Sequence, residues 1–274
     1  MVSIPGDAAA NEAGGKLNEQ VAIVTGAGRG IGRAIADELA RQGARVVLAD
    51  IDGALAERAA RALADAGYDA LGLAVDVSRQ SSVEEMIAQT AARWGRIDIL
   101  VNNAGVNFPA PALEMRAETW QRILDVNLTG AFLCSQAAGR QMAARGYGRI
   151  VNLSSTSGHF GAPGLVAYAA SKAGLLGLTR VLAVELGSAG VTVNAICPGN
   201  IETEMLVEVM EQRAAARGVA RAEVIAGIVA KTPAGRLGQP DDVARLAAFL
   251  ASPEAGYITG QAINLCGGRS IGMY

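Results

Sequence analysis

Histidine is almost missing from this chain. His159 stands alone among 274 residues, so a histidine-rich metal centre has no ligands to draw on. Cysteine is nearly as rare: Cys134, Cys197 and Cys266 are odd in number, far apart and form no C-x-x-C. That usage argues against a disulfide framework or a zinc site and for a reducing, cytoplasmic setting. There is no basic run, and the formal net charge is −2, so nucleic acid is not an expected partner. No apolar run reaches the ~18 residues of a membrane-spanning helix, and no membrane association is expected. Residues 1–16 have neither the basic nor the apolar region of a secretory signal. They read as a disordered extension before a single domain over 17–274.

Hydrophobic residues, by contrast, make up 51% of the chain, enough for a substantial core, and no segment has the composition of an interdomain linker. Val21 to Thr25 is a short apolar run, the pattern of a buried parallel strand. It leads into Gly26-Ala27-Gly28-Arg29-Gly30-Ile31-Gly32, after which Ile31, Ala34, Ile35 and Leu39 recur at helical spacing. A glycine-rich turn placed between strand and helix is the setting for a dinucleotide phosphate. The glycines let the backbone come close, and the helix start offers free N–H groups.

The pattern then repeats. Strands are expected at Arg45–Ala49, ending on Asp50, at Ala70–Val75, ending on Asp76-Val77, and at Ile97–Val101, ending on Asn102-Asn103-Ala104-Gly105. Three more follow at Arg149–Leu153, Val191–Ile196 and Ala262–Leu265, with helical stretches between. Ser81 with Glu84 reads as a capping box for the third helix. Alternation of this kind predicts an α/β fold: a doubly wound Rossmann domain with about seven parallel strands and helices on both faces. Asp50, Asp76, Asn103, Ser155 and Pro198-Gly199 all follow strands, at the carboxyl edge where such sheets bind ligands.

Tyr168-Ala169-Ala170-Ser171-Lys172 carries the chemistry. On a helix, Tyr168 and Lys172 share one face. A free phenol titrates near pH ~10, and bringing it to about 7 takes roughly 4 kcal/mol. A neighbouring ammonium acts in that direction. So placed, Tyr168 would exchange a proton with an alcohol oxygen.

These motifs, in this order, resemble the short-chain dehydrogenase/reductase family over about Gln20 to Gly268. The T-G-x-x-x-G-x-G pattern is Thr25 to Gly32, N-N-A-G is Asn102 to Gly105, and Y-x-x-x-K is Tyr168 to Lys172. Asn127 matches the helix asparagine, and Pro198-Gly199, followed by Ile201 and Thr203, matches the segment after the sixth strand. Ser154, Ser155 and Ser157 compete for the catalytic serine. Ser155 stands at the family spacing before the tyrosine, leaving Ser154 to cap or contact backbone. The resemblance implies that Tyr168 is the acid/base and that Ser155 hydrogen-bonds the reacting oxygen. Lys172 would hold the nicotinamide ribose and lower the tyrosine pKa. Asn127 would order a water in the proton relay, unless it only satisfies local backbone. It further implies cofactor contacts from Gly26, Arg29, Gly30, Ile31, Gly32, Asp50, Asp76, Val77, Asn103, Ala104, Gly105, Tyr168, Lys172, Pro198, Gly199, Ile201 and Thr203. The family pairs the Tyr168 helix across subunits, so a homodimer or homotetramer is expected, and Gly174 and Gly177 would suit close packing there. Cys266 stands where many relatives carry aspartate, and reads as a small buried residue.

Two choices are finer. Asp50 would accept from the adenosine ribose hydroxyls and repel a 2′-phosphate by roughly 4 kcal/mol at ~4 Å and an effective dielectric of ~20. Arg29 would attract that phosphate, but exposed to solvent and salt. The expectation is NAD over NADP. Residues 200–232 read as a mobile helical lid with Met205, Leu206, Val209 and Met210 on its apolar face. Substrate contacts are expected from Ser155, Tyr168, Met205 and His159, which would otherwise be a solvated loop residue. Glu202 and Glu204, facing inward, would favour a neutral sugar, polyol or small secondary alcohol over a 3-oxoacyl thioester. A non-catalytic dinucleotide-binding regulator is the reading from another class, and the presence of both Tyr168 and Lys172 speaks against it.

Overall fold

The computed structural model describes residues 15–272, with Met205, Glu208, Gln212, Arg213, Ala216, Ile271 and Gly272 described by backbone alone. Residues 1–14 of the expected N-terminal extension lie outside that range. Lys16 is placed, 2.8 Å from Glu254, and Leu17 is fully buried.

Seven strands form one sheet: β1 (Val21–Thr25), β2 (Arg45–Asp50), β3 (Ala70–Ala74), β4 (Ile99–Asn102), β5 (Gly148–Leu153), β6 (Val191–Pro198) and β7 (Ala262–Leu265). Every pairing is parallel and the order is β3-β2-β1-β4-β5-β6-β7, a doubly wound Rossmann sheet. Alternate side chains feed two cores, as a strand's period of two requires. Ala22, Val24, Val46 and Leu48 pack with α1 (Gly30–Arg41), α2 (Gly53–Asp65) and α9 (Pro240–Ala251). Ile23, Val47 and Leu100 pack on the other face with α3 (Gln80–Trp94), α5 (Gly130–Arg145) and α6 (Val166–Leu186). Strand order reverses between β1 and β4, and the crevice above that point is where such sheets bind ligands.

Several boundaries differ from the sequence reading. Strand β3 stops at Ala74, and β4 runs Ile99–Asn102 rather than from Ile97. The Ser81–Glu84 capping box does not form, because α3 begins at Gln80 and places Ser81 inside the helix. Glu84 instead accepts from the Gln80 amide at 2.7 Å. Asp76 builds the turn, accepting from the Ser78 N–H and hydroxyl, while Ser82 Oγ accepts from the Asp76 N–H.

Two features place the site. Between α4 (Ala117–Leu124) and α5, Asp125–Thr129 winds as a π-helical turn in which the Gly130 N–H reaches back five residues to Asp125. Beyond β6, α7 (Glu204–Arg217) and α8 (Arg221–Val229) form the expected helical cover. A short parallel bridge between Ile201 and Gly238 closes its base. Met210, Ala214, Val224, Ile228 and Leu237 give it a small core of its own.

Candidate active site

A cleft of about 1430 Å³ runs along the carboxyl ends of the strands. Its first wall is the glycine turn after β1. Gly30 has φ +59°, and a Cβ there would project into open space, its nearest neighbour being Thr203 Cγ2 at 3.9 Å. A Cβ on Gly32 would run into the Gly26 carbonyl, so glycine lets the turn fold tightly onto itself. The result is a close-fitting backbone cradle at the start of α1, where free N–H groups and the helix dipole favour an anion.

At the end of β2, the Asp50 carboxylate accepts from the Gly28 N–H at 2.9 Å and from the Asp52 N–H at 3.1 Å. It lines the cleft beside the glycine turn. Arg29 lines it too, but its guanidinium is engaged with Glu204 at 2.9 Å. Asn103 ties the two central strands together, donating from Nδ2 to the Thr25 and Gly26 carbonyls at 2.9 Å. Gly26, Ile31, Asp76, Val77, Ala104, Gly105, Pro198, Gly199, Ile201 and Thr203 all border the same cleft. A dinucleotide therefore fits the residues present. The backbone cradle suits its phosphates, and the Asp50 carboxylate suits ribose hydroxyls.

The candidate catalytic residues lie where β5 meets α6. Ser155 is buried and accepts from the Ser157 N–H at 3.1 Å, which fixes its hydroxyl at the start of a short turn over Thr156–Gly158. Ser154 takes the other role, donating to the Lys172 carbonyl at 2.8 Å. Tyr168 and Lys172 do share a face of α6, with Lys172 Nζ 5.6 Å from the Tyr168 ring centre. Lys172 is buried and donates to the Leu153 carbonyl at 2.7 Å. Burial lowers its ammonium to about 8, partly offset by the nearby Cys197 thiol.

The expected net lowering of the tyrosine is not present here. Desolvation raises the Tyr168 phenol above its ordinary value, and its hydrogen bond with Ser155 only partly opposes this. The lysine sits beside the ring and hydrogen-bonds a carbonyl, so the desolvation of the phenol dominates.

Asn127 is buried in the π-helical turn, behind the cleft wall rather than on it. Its side chain accepts from the Val106 N–H at 2.8 Å and donates to the Val106 carbonyl at 3.0 Å and the Ser171 hydroxyl at 3.1 Å. It thus locks the loop after β4 to α6. His159 is exposed, does not border the cleft, and places Nε2 3.4 Å from the Cys197 thiol. Met205 falls among the side chains that are not described. Glu202 does not face inward: it accepts from the Gln239 amide at 2.7 Å and lies off the cleft. Cys266 is partly exposed. Desolvation pushes its thiol up, but hydrogen bonds from Ser270, Gly268 and Arg269 outweigh this and leave it below the ordinary range.

The outer half of the cleft includes residues with no motif behind them. Val106, Asn107 and Phe108 continue directly from Gly105, Leu165 precedes α6, and Arg122 lies on α4 with its guanidinium 5.3 Å over the Phe108 ring. The one sequence signal for the first three is their place just past a strand end. Leu206, Val209 and Met210 close this half from the lid, as their apolar spacing predicts.

Comparison with known proteins agrees with this geometry. A family model described as enoyl-(acyl carrier protein) reductase matches residues 26–270. The chain is 42% identical over 250 residues to the 3-oxoacyl-(acyl-carrier-protein) reductase FabG of Escherichia coli, covering 91% of this chain and 96% of that one. It is 38% identical over 255 residues to the hydroxy(phenyl)methylsuccinyl-CoA dehydrogenase subunit BbsD of Thauera aromatica, covering 93% and 98%. Among solved structures, a variant of actinorhodin polyketide ketoreductase with NADPH superimposes with a TM-score of 0.89 at 38% identity, covering 92% and 97%. Levodione reductase does so with a TM-score of 0.89 at 33% identity, covering 93% and 99%.

Proposed function

The chain belongs to the short-chain dehydrogenase/reductase family of oxidoreductases, and on that premise we propose that it interconverts a secondary alcohol and its ketone with NAD(H). The observation that carries the reading is the convergence of Ser155, Tyr168 and Lys172 on one cleft that also holds the glycine cradle. The nicotinamide cofactor supplies or accepts the hydride when bound. The protein's part is to manage the oxygen. Tyr168 gives its proton to the developing alkoxide in reduction and takes one from the alcohol in oxidation. The Ser155 hydroxyl donates to that oxygen and orients it against the phenol. The buried ammonium of Lys172 favours the phenolate and would hold the cofactor's ribose. The Asn127 side chain is already engaged with Val106 and Ser171, so any relay water at this point would rest on backbone.

The substrate reading changes with the geometry. The case for a polyol rested on two inward-facing carboxylates, yet Glu202 is held by Gln239 off the cleft, and Glu204, which does border it, is paired with Arg29. The outer cleft is lined by Val106, Phe108, Leu165, Leu206, Val209 and Met210, with Asn107, Glu118, Gln121, Arg122 and Asp125 beside them. A polyol hydroxyl left without a partner along the apolar stretch of this wall would cost about 1–3 kcal/mol. An apolar acyl chain fits, and Arg122 over Phe108 offers a cation at the same wall. We therefore place a 3-oxoacyl or 3-hydroxyacyl thioester ahead of a sugar or polyol. FabG and BbsD, whose names specify such thioesters, support that order. For the cofactor, Asp50 at the end of β2 supports NAD(H) over NADP(H). The outer face of α6 supports a homodimer or homotetramer.

The test is turnover of acetoacetyl-CoA, 3-hydroxybutyryl-CoA and a polyol panel with each cofactor, followed by nicotinamide absorbance. Thioester turnover exceeding that of every polyol is expected. Tyr168→Phe should lose about 10²–10⁴-fold in kcat while cofactor Kd stays within about twofold. Near-normal turnover by Tyr168→Phe would remove the acid/base assignment, and efficient polyol oxidation without thioester activity would restore the earlier substrate order.

A further inference from the structure

The cleft has three cationic side chains among its described lining: Arg29, Arg122 and Lys172. Lys172 is buried at the reacting end, and Arg122 stacks on Phe108 along the outer wall. Arg29 alone belongs to the glycine turn beside Asp50, since Gly28, its neighbour in sequence, donates its N–H to the Asp50 carboxylate. Any phosphate carried on the adenosine ribose would meet Asp50 and would look to Arg29 for a counter-charge.

That counter-charge is already taken. Arg29 Nη1 lies 2.9 Å from Glu204 Oε2. Glu204 is the first residue of α7, and its helix start is fixed by Thr203, whose hydroxyl accepts from the Leu206 N–H at 3.2 Å. A carboxylate in the first turn is also favoured by the helix dipole. The lid therefore presents a carboxylate to the glycine turn.

We propose that Glu204 is a cofactor-specificity residue: by pairing with Arg29 it withholds the arginine from a ribose 2′-phosphate and so widens the preference for NAD over NADP. The inference rests on the dinucleotide-site reading above. NAD presents only hydroxyls to Asp50 and leaves the Arg29–Glu204 pair intact. NADP must face the Asp50 carboxylate and compete with a second carboxylate for the arginine. Both partners are exposed, at 67% and 72% of their side-chain surface, so the effect is modest. Pairs of this kind are worth a factor of about two to five in an equilibrium, and salt weakens them.

The test is calorimetric or fluorescence binding of NAD⁺ and NADP⁺, with no substrate and no turnover. Glu204→Gln should lower the ratio Kd(NADP⁺)/Kd(NAD⁺) by about two- to five-fold, mainly through tighter NADP⁺. Arg29→Gln alone should move the ratio by less than about twofold, because the arginine is already engaged. Combined with Glu204→Gln it should abolish the gain, and raising salt should shrink the gain in the single variant. A ratio unchanged by Glu204→Gln, or lowered equally when Arg29 is already glutamine, overturns the proposal. Wild-type protein that binds neither dinucleotide overturns the cofactor reading itself, a distinguishable result.

Discussion

At the scale of single residues, the proposed role of Tyr168 as acid/base sets the expected pH behaviour. Desolvation raises the Tyr168 phenol, so the protonated acid persists through neutral pH. Ketone reduction uses that acid and should stay flat between about pH 6 and 8. Alcohol oxidation needs the phenolate, which is the minor form there, so its kcat/KM should climb with pH, approaching about tenfold per pH unit. Lys172 loses its proton at about 8 and withdraws a positive charge that favours the phenolate. The oxidation curve should therefore rise less steeply above that point than below it. Profiles of kcat/KM in both directions check this, and oxidation that is fastest in acid would remove Tyr168 as the base. The sequence singles these groups out by Tyr168, Lys172 and the serine spacing, and the fold brings them to one cleft. Their electrostatic balance was not legible in the sequence, because it depends on how deeply the fold buries the phenol and on Lys172 turning to the Leu153 carbonyl. Glu204 does border the cleft, but its pairing with Arg29 is visible only in the fold.

Among elements, strands were the most legible, because a parallel sheet covered on both faces demands continuous apolar runs such as Val21 to Thr25. Local polar bonding was the least legible. Ser81 and Glu84 had the spacing of a cap, yet Asp76 and Ser78 formed the turn and moved the helix start to Gln80. The π-helical turn at Asp125–Thr129 has no distinct composition and was not foreseen. The lid was foreseen as a helical segment, and its energetics follow from its construction. Its core of Met210, Ala214, Val224, Ile228 and Leu237 is separate from both sheet cores. Ile228→Ala should cost about 2–4 kcal/mol, and the loss falls on the lid's closure over the cleft. We expect KM for substrate to rise severalfold and proteolysis within residues 204–229 to accelerate, while dinucleotide Kd moves little. Substrate KM and cofactor Kd rising together would show instead that lid and glycine turn act as one body.

For the whole molecule, α6 poses a question of partners. Its inner face carries Tyr168 and Lys172 and packs closely: a Cβ on Gly174 would come within 2.7 Å of Leu128, so that glycine is explained within the chain. Gly177 is different, with nothing within 4 Å of where a Cβ would stand. It lies on an exposed stripe with Ala170, Ala173, Val181 and Val184, the two valines 54% and 83% exposed. Residues three and four apart share a helix face, so these five form one continuous apolar strip. Small residues at its centre would let a second helix approach to about 8 Å, and a self-complementary patch of this kind suits a two-fold axis. We propose this strip as the surface on which a second copy packs, and a charge placed there should separate the copies. Val184→Glu combined with Val181→Glu should reduce the mass seen by light scattering to that of a lower assembly state, with the monomer fold intact by circular dichroism. Because the opposite face of the same helix carries Tyr168 and Lys172, the separated form should also lose activity, and cross-linking the copies through Gly177→Cys should restrain that helix without loss. A wild-type protein that is monomeric at micromolar concentration, or a double variant with unchanged mass, would rule out this face as the interface.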